Sequence, residues 1–474
     1  MKQINRNRLL YCVSDFVMVA LGWAFFNVLR YNTLPAASDF ASLGNFLSYP
    51  QVLLGQVLVP AGMVALYALS GSYNRSNTLY KSRLDELLNS LIVSAIGMLG
   101  IFFIALINDN IPERVTNYEL MLMLLGCLFF PVAAARLVIV THNARRVRRG
   151  EFVLNTLVVG AWPGNAGKIK RIKDSEGLTG LKLTGVVDVD GCLAGNNLSH
   201  LPVFQSTDVA ELCGRLGVQA LIVMPSPQGL TRTAEIINEL YPLNLPLFLP
   251  PDLHSLMTSR PRLSSVTSEP LVDITNANIS PASVNLKRCS DLIVSAVALV
   301  VLSPVFLALS IAVKAGSPGP VFYRQRRIGY HKKPFDIIKL RTMRTDAEDN
   351  GPALTVDDDP RVTRVGRVLR KYRLDELPQF WNVLKGEMSL VGPRPEREYF
   401  IRRIVERVPS YSLIHQVRPG ITSWGMVKYG YASNVDEMIE RLPYDLLYLE
   451  NVSLGVDLKI LFHTVDTVLN GRGQ

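Results

Sequence analysis

The chain is short of the residues that build a disulfide framework or a transition-metal centre. Its five cysteines (Cys12, Cys127, Cys192, Cys213 and Cys289) are an odd number with no C-x-x-C pair and no regular spacing, which argues against disulfide staples and a zinc site. Six histidines, among them His142, His331 and His415, are equally scattered. No lysine has a tyrosine four residues before it, so the Tyr-x-x-x-Lys proton-transfer pair of a nucleotide-sugar dehydratase or epimerase is missing. Charge is scarce as well. Only 19% of the 474 residues are charged against 48% hydrophobic, with a mean hydropathy of +0.20, the balance of a membrane protein. What charge there is runs basic, at a formal net +10. That suits an anionic partner such as phospholipid head groups, nucleotide phosphates or nucleic acid.

Long apolar runs are abundant. Four lie at 9–29, 52–69, 87–107 and 118–140, each reaching or approaching the ~20 residues a helix needs to cross a bilayer. Lys2, Arg6 and Arg8 precede the first run, Arg75, Lys81 and Arg83 separate the second from the third, and Arg145, Arg146, Arg148 and Arg149 follow the fourth. The alternate loops hold little beyond Arg30 and Arg114. Basic residues gather on the cytoplasmic side, so the alternation predicts four spans with both ends cytoplasmic. The first run has no small-residue cleavage site after it and reads as a retained anchor.

From 151 to about 275 the pattern changes. Apolar β-rich runs at 156–159, 184–189, 220–224 and 245–249 alternate with helical patterns near 167–174, 207–216 and 231–240, which predicts a parallel α/β unit. Gly160, Gly164 and Gly167 follow the first strand as G-x-x-x-G-x-x-G, a weak phosphate-loop signal against the G-x-G-x-x-G fingerprint, with Asp188 or Asp190 near the distance for its acidic partner. The stretch 250–281, rich in Pro, Ser and Thr, reads as a linker with extended segments.

A fifth apolar run at 292–313 would be ~33 Å long as a straight helix. Ser303-Pro304 interrupts its middle, where proline removes a backbone bond, and basic residues flank both ends: Lys287 and Arg288 before, Lys314, Arg324, Arg326 and Arg327 after. A segment entering and leaving by one face keeps both flanks cytoplasmic, and Ser303 is placed to satisfy freed backbone groups. The alternative is a plain fifth span with everything beyond it outside.

The last third predicts strands at 321–326 and 335–341 joined by a basic loop, then arginines at every third position (Arg361, Arg364, Arg367, Arg370, Arg373), which drift round a helix by ~60° per step. Helical patterns follow at 397–407 and 435–449, with an amphipathic one at 456–469. Between the arginines and Pro393-Arg394-Pro395 stand adjacent carboxylates, Asp375 and Glu376. On a helix such neighbours project about 100° apart, so separate roles are easier to build than a shared proton. One can attack phosphorus while the other holds a divalent cation.

The setting of that pair, Leu374-Asp375-Glu376-Leu377-Pro378-Gln379 near Asn382-Val383 and then Met388-Ser389-Leu390-Val391-Gly392-Pro393-Arg394-Pro395, resembles the bacterial polyprenyl-phosphate sugar-1-phosphate transferases, in particular their large members. The resemblance runs from about 286 to 470 and includes Lys287-Arg288, Asp291, Ser317-Pro318-Gly319-Pro320, Arg324-Gln325, Lys339-Leu340-Arg341-Thr342-Met343, Asp359-Pro360-Arg361 and Arg418-Pro419-Gly420-Ile421-Thr422. It implies that Asp375 attacks the β-phosphate of a UDP-sugar, releasing UMP, and that undecaprenyl phosphate takes the phosphosugar, the first membrane step of exopolysaccharide, capsule or O-antigen synthesis. It further implies that Glu376 assists with Mg²⁺, and that Lys339, Arg341, Arg361, Arg373 and Arg394 contact phosphate.

The expected fold class is an α-helical membrane protein plus α/β. Four transmembrane helices (1–150) precede a Rossmann-like cytoplasmic α/β domain (151–275) and a monotopic-type catalytic α+β domain (276–474) with a re-entrant helix at about 291–315. The expected partners are a UDP-sugar, undecaprenyl phosphate and the lipid bilayer of the bacterial inner membrane, with a homodimer left open and no nucleic acid. One departure matters: Pro419-Gly420-Ile421-Thr422 continues as Ser423-Trp424-Gly425-Met426-Val427-Lys428-Tyr429, where family members usually read Gly-Trp-Ala-Gln, so the sugar is left open. The rival readings are a membrane-bound dehydratase or epimerase, and a non-catalytic scaffold of polysaccharide assembly.

Overall fold

The computed structural model describes residues 2–33, 40, 42–74, 83–106, 114–151, 153–189, 191, 201–205, 208–226, 228–240, 243, 245–250, 271–274, 279–345, 347 and 359–469. They form two compact units, one of Met1–Val153 with Asp174–Leu181 and Ser280–Asn285, the other of Leu154–Lys173, Lys182–Ile279 and Leu286–Gln474.

In the first unit the four apolar runs become helices α1 (Lys2–Thr33), α2 (Pro50–Leu69), α3 (Arg83–Ile101) and α4 (Arg114–Arg148), with a π-helical turn, Phe102–Leu106, extending α3. Among the described residues these four are the helices long and apolar enough to cross a membrane unbroken. They pack α1 on α2 and α4, and α3 on α4. Tyr11, Val19, Trp23, Phe26, Met63, Leu124 and Leu128 fill the centre. The outward faces carry exposed Leu21, Leu53, Leu58, Ile92, Leu122 and Phe130, the arrangement a lipid surround favours over water. Gly22 sits against the Cys127 carbonyl, where any Cβ would collide, so α1 and α4 approach at a small residue.

One polar cluster interrupts this core. Arg136 on α4 bonds Asp15 of α1 and Glu86 of α3, each at 2.6 Å, and its guanidinium lies 3.9 Å from the Tyr67 ring centroid on α2. Tyr73, just past α2, donates to Asp15 at 2.6 Å. A buried charge in an apolar bundle is stable only when paired, and here the pairing touches all four helices.

The second unit holds a six-stranded sheet in the order β3-β2-β1-β4-β5-β6: β1 Leu154–Val159, β2 Leu181–Asp188, β3 Val203–Gln205, β4 Ala220–Val223, β5 Leu247–Leu249 and β6 Val272–Asp273. The pairs β1–β4, β2–β3 and β4–β5 are parallel and β5–β6 is antiparallel. Helices α5 (Ala166–Asp174), α6 (Val209–Leu216) and α7 (Leu230–Leu240) alternate with the strands. β1 and β4 are buried along nearly their whole lengths, which is why they read as continuous apolar runs rather than alternating ones. Most of the expected linker, 251–270 and 275–278, lies outside the described residues. Within it, 272–273 is an extended segment that pairs as the edge strand β6.

The remainder of the unit, from Leu286, holds most of α8 (Pro281–Val301) and α9 (Ser303–Gly316), bent by 63° at the break. Pro304 occupies the first turn of α9, where its missing N–H costs nothing, and the Ser303 hydroxyl donates to the Val300 carbonyl at 2.8 Å. Further on come the hairpin β7 (Phe322–Ile328) and β8 (Pro334–Leu340), α10 (Arg364–Lys371), a 3-10 turn Leu374–Glu376, α11 (Gln379–Lys385), β9 (Ser389–Val391), α12 (Glu398–Arg407), a 3-10 segment Pro409–Gln416, β10 (Gly420–Thr422), α13 (Trp424–Lys428), α14 (Val435–Glu450) and α15 (Leu454–Leu469). The expected arginine helix is shorter than the run of arginines. Thr363 caps α10 by accepting from Gly366 N, so Arg361 precedes it, and Arg373 lies beyond its end in the left-handed region at φ 53°.

Candidate active site

Two polar anchors set the acidic turn against the hairpin and α8. Asn382, on the helix just after the turn, accepts from Ile338 N at 3.1 Å and donates to the Asp336 carbonyl at 2.8 Å, which ties α11 to the β8 backbone beside Lys339. Midway along α8, Asp291 accepts from Ser389 Oγ at 2.7 Å and from Leu390 N at 3.2 Å. Lys287 reaches Asp457 at 2.5 Å and the Val391 carbonyl at 3.0 Å. Lys287 and Asp291 are therefore structural, holding β9 on which Pro393-Arg394-Pro395 follows.

The carboxylates stand on a 3-10 turn rather than an α-helix. At three residues per turn, neighbours point about 120° apart, so the expected separation of roles survives the change of helix type. Asp375 is 7% exposed and Glu376 4%, and both line a cavity of about 310 Å³ together with Lys339, Arg370, Arg394 and Tyr431. Glu376 takes Lys339 Nζ at 2.9 Å and Arg394 at 3.5 Å on the same oxygen, Oε1. Its second oxygen is buried with no hydrogen-bond partner among the described residues.

The two acids are charged differently. Burial pushes the Asp375 carboxyl up to about 6, helped by the Glu376 charge and opposed by Lys339 and Arg370. Burial would raise Glu376 too, but Lys339, Arg394 and Arg373 together outweigh it and hold that carboxyl well below its ordinary range. One acid thus holds its proton to higher pH than usual, while the other stays ionised.

The phosphate-contact candidates divide three ways. Lys339 and Arg394 meet at Glu376. Arg361 lines the cavity while gripping Asp359 with Nε at 2.9 Å and Nη2 at 2.5 Å. Arg341 also borders it, its guanidinium bonded to the Ser317 and Pro318 carbonyls at 2.8 and 2.6 Å. Arg373 is not among the lining residues; its guanidinium carbon lies 4.9 Å from the Tyr431 ring centroid, and that of Arg394 lies 4.8 Å from the same ring.

Several lining groups were not singled out from the sequence. Along β7, Gln325 donates to the Tyr323 hydroxyl at 3.0 Å and accepts from Arg327 at 2.9 Å. Arg327 and Arg441 both bond Glu396, at 3.0 and 2.9 Å. The signal for this ladder was alternation: residues 323, 325 and 327 share one face of the strand. In the stretch 423–429, Met426 touches a candidate residue, its sulfur 3.3 Å from Arg394. Ser423 caps α13, and Gly425 N donates to Asp445 at 3.2 Å.

In the α/β sheet, the glycine-rich loop after β1 is closed by its own side chains. Trp162 Nε1 and Asn165 Nδ2 both donate to the Pro225 carbonyl beyond β4, at 2.9 and 3.2 Å, and the Trp162 ring packs against Gly164.

Residues 282–471 match the profile of the family described as bacterial sugar transferase. The chain is 44% identical over 194 residues to a UDP-N-acetylgalactosamine-undecaprenyl-phosphate N-acetylgalactosaminephosphotransferase of Aeromonas hydrophila, covering 41% of this chain and 46% of the relative. It is 36% identical over 236 residues to the UDP-glucose:undecaprenyl-phosphate glucose-1-phosphate transferase of Escherichia coli (49% and 51%). It is also 30% identical over 409 residues, 82% of this chain and 83% of the relative, to an uncharacterized sugar transferase of Haemophilus influenzae. The chain spans about half the length of the first two.

Proposed function

The chain belongs to the polyprenyl-phosphate sugar-1-phosphate transferase family of bacterial sugar transferases, and from that premise we propose that it transfers a sugar 1-phosphate from a UDP-sugar to undecaprenyl phosphate. The products are undecaprenyl-diphospho-sugar and UMP. The observation that carries this reading is the pair Asp375 and Glu376, buried side by side under Lys339 and Arg394 in one cavity.

An Asp375 carboxylate oxygen attacks the β-phosphorus, the bond to the bridging oxygen breaks, and UMP leaves with its electron pair. The acyl-phosphate so formed holds the phosphosugar. A phosphate oxygen of undecaprenyl phosphate then attacks the same phosphorus and restores the free carboxylate. Lys339 and Arg394 stabilise charge on the phosphate oxygens, which a cation-lined, water-poor cavity does better than solvent. The donor set fits Mg²⁺, an ion commonly held by one or two carboxylates and substrate phosphates: the Glu376 oxygen without a hydrogen-bond partner among the described residues would hold it. When bound, Mg²⁺ would neutralise charge on the diphosphate.

We read the bent pair α8–α9 as re-entrant, dipping into the cytoplasmic leaflet of the inner membrane to bring the cavity to the lipid phosphate. Exposed Val300, Val301, Leu307 and Ile311 around the bend support that placement. The β1–β5 order supports a Rossmann-like reading of the α/β sheet, whose loop bridge argues for a structural rather than a dinucleotide-binding role. The sugar is left open, since the relatives carry different sugars in their names and Met426 differs from the common family residue.

The test is UMP release by purified protein in detergent. Multiple turnovers should require a UDP-sugar, undecaprenyl phosphate and Mg²⁺ together, and Asp375→Asn should abolish them. Turnover surviving in that variant sinks the nucleophile assignment.

A further inference from the structure

We infer that Tyr431 is a positioning residue for the donor diphosphate, its ring tying the Arg394 guanidinium, which lines the cavity, to Arg373 next to the acidic turn. The inference deepens the transferase reading and rests on it.

Three observations converge. Both guanidinium carbons lie against the one ring, at 4.9 and 4.8 Å from its centroid, and cations at such distances are attracted by the ring's quadrupole. Two like charges brought to one place repel each other, and an electron-rich ring against both offsets part of that repulsion without adding a carboxylate that would compete with phosphate. Next, Arg373 is a non-glycine residue at φ 53° directly before the acidic turn, a conformation that persists only where its surroundings hold it. Its Nε is buried with no hydrogen-bond partner among the described residues, and contact with the ring is one restraint on its guanidinium. Finally, Tyr431 lines the same cavity as Asp375 and Glu376 and is only half buried.

The consequence is geometric. Arg394 reaches Glu376 at 3.5 Å from one side of the site, and Arg373 continues directly into the turn that carries both acids. A ring touching both guanidiniums therefore couples the turn to the Pro393-Arg394-Pro395 segment. Phosphate arriving in the cavity meets the Arg394 guanidinium already in place, held through the ring against Arg373, rather than a flexible side chain that must be ordered on binding.

The role belongs to the ring face, so its electron density can be graded without changing its shape. Tyr431→Phe, followed by 4-fluoro-, 3,5-difluoro- and 3,4,5-trifluorophenylalanine at the same position, gives such a series. Tyr431→Phe should keep the KM for the UDP-sugar within about threefold of the parent. KM should then climb with each fluorine to about tenfold for the trifluoro ring, the size expected from weakening two such contacts, while kcat moves less. Melting temperature should stay level along the series, since volume is nearly unchanged. Calorimetric binding of UDP, which needs no turnover, should weaken in the same order. A level KM and a level UDP affinity across the fluorinated rings would overturn the assignment. So would a full loss already present in Tyr431→Phe, which would hand the role to the hydroxyl. A series that binds UDP in this graded order, from a parent that never releases UMP, would sink the transferase reading and leave the ring's role standing.

Discussion

At the scale of single residues, the site works by giving two neighbouring carboxylates opposite surroundings. Lys339 and Arg394 both spend their contacts on Glu376, leaving Asp375 with burial as its dominant influence. The raised Asp375 value has a stability consequence whose sign is fixed by linkage. The folded state holds that proton more tightly than the unfolded chain, so the contribution is most favourable below the ordinary value of 3.8 and is lost as pH rises to about 6. Above that, a buried ionised Asp375 costs up to about 3 kcal/mol. In EDTA at pH 7 to 8, Asp375→Asn should therefore melt no lower than the parent and up to a few degrees higher, with the gain shrinking towards pH 4. A large drop in melting temperature at neutral pH would contradict the account. The same measurement shows that lost turnover in this variant is not lost folding. Residue types were legible in the sequence here, because Asp-Glu among cations is a chemical pattern; Tyr431 was not, because nothing local distinguishes a tyrosine 56 positions after Asp375 from any other half-buried ring.

At the scale of elements, the breaks were easier to read than the contacts. Ser303-Pro304 put the interruption of the fifth apolar run within two residues of where α8 ends, since proline at a helix start is a local rule. The 63° bend depends on packing and had no local signal. In the arginine run, the Thr363 cap and the left-handed Arg373 confine the helix to α10, so Arg361 and Arg373 lie outside it for reasons that no spacing shows. Strand β3, of three residues, was missed because so short a segment has no period to detect, and β6, of two, was legible only as extended chain within the linker. The bend also predicts topology. In a protein freed of its native cysteines, single cysteines placed at Asn285 and at Ser317, the two flanks of the α8–α9 pair, should both label from the cytoplasmic face of sealed vesicles. Labelling from opposite faces would make the pair a bent span.

At the scale of the whole molecule, the chemistry and the helical bundle are separable by sequence and by charge. The family match occupies 282–471, whereas Asp15, Glu86 and Arg136 lie in the bundle and serve it alone. Removing one member of a buried ion cluster strands the rest uncompensated, at about 3 to 5 kcal/mol, while replacing the whole cluster with apolar residues of similar size is often neutral. Arg136→Met should accordingly lower the yield and melting temperature of the detergent-extracted protein sharply, because two carboxylates then share an apolar core with no cation. Combining it with Asp15→Leu and Glu86→Leu should recover most of that loss, leaving Tyr73 to find another partner. UMP release per folded molecule should change little in the triple variant, since its substitutions lie outside the matched segment. If instead the triple variant folds well but has lost turnover, the bundle's polar cluster takes part in the reaction cycle and is more than a clamp between helices.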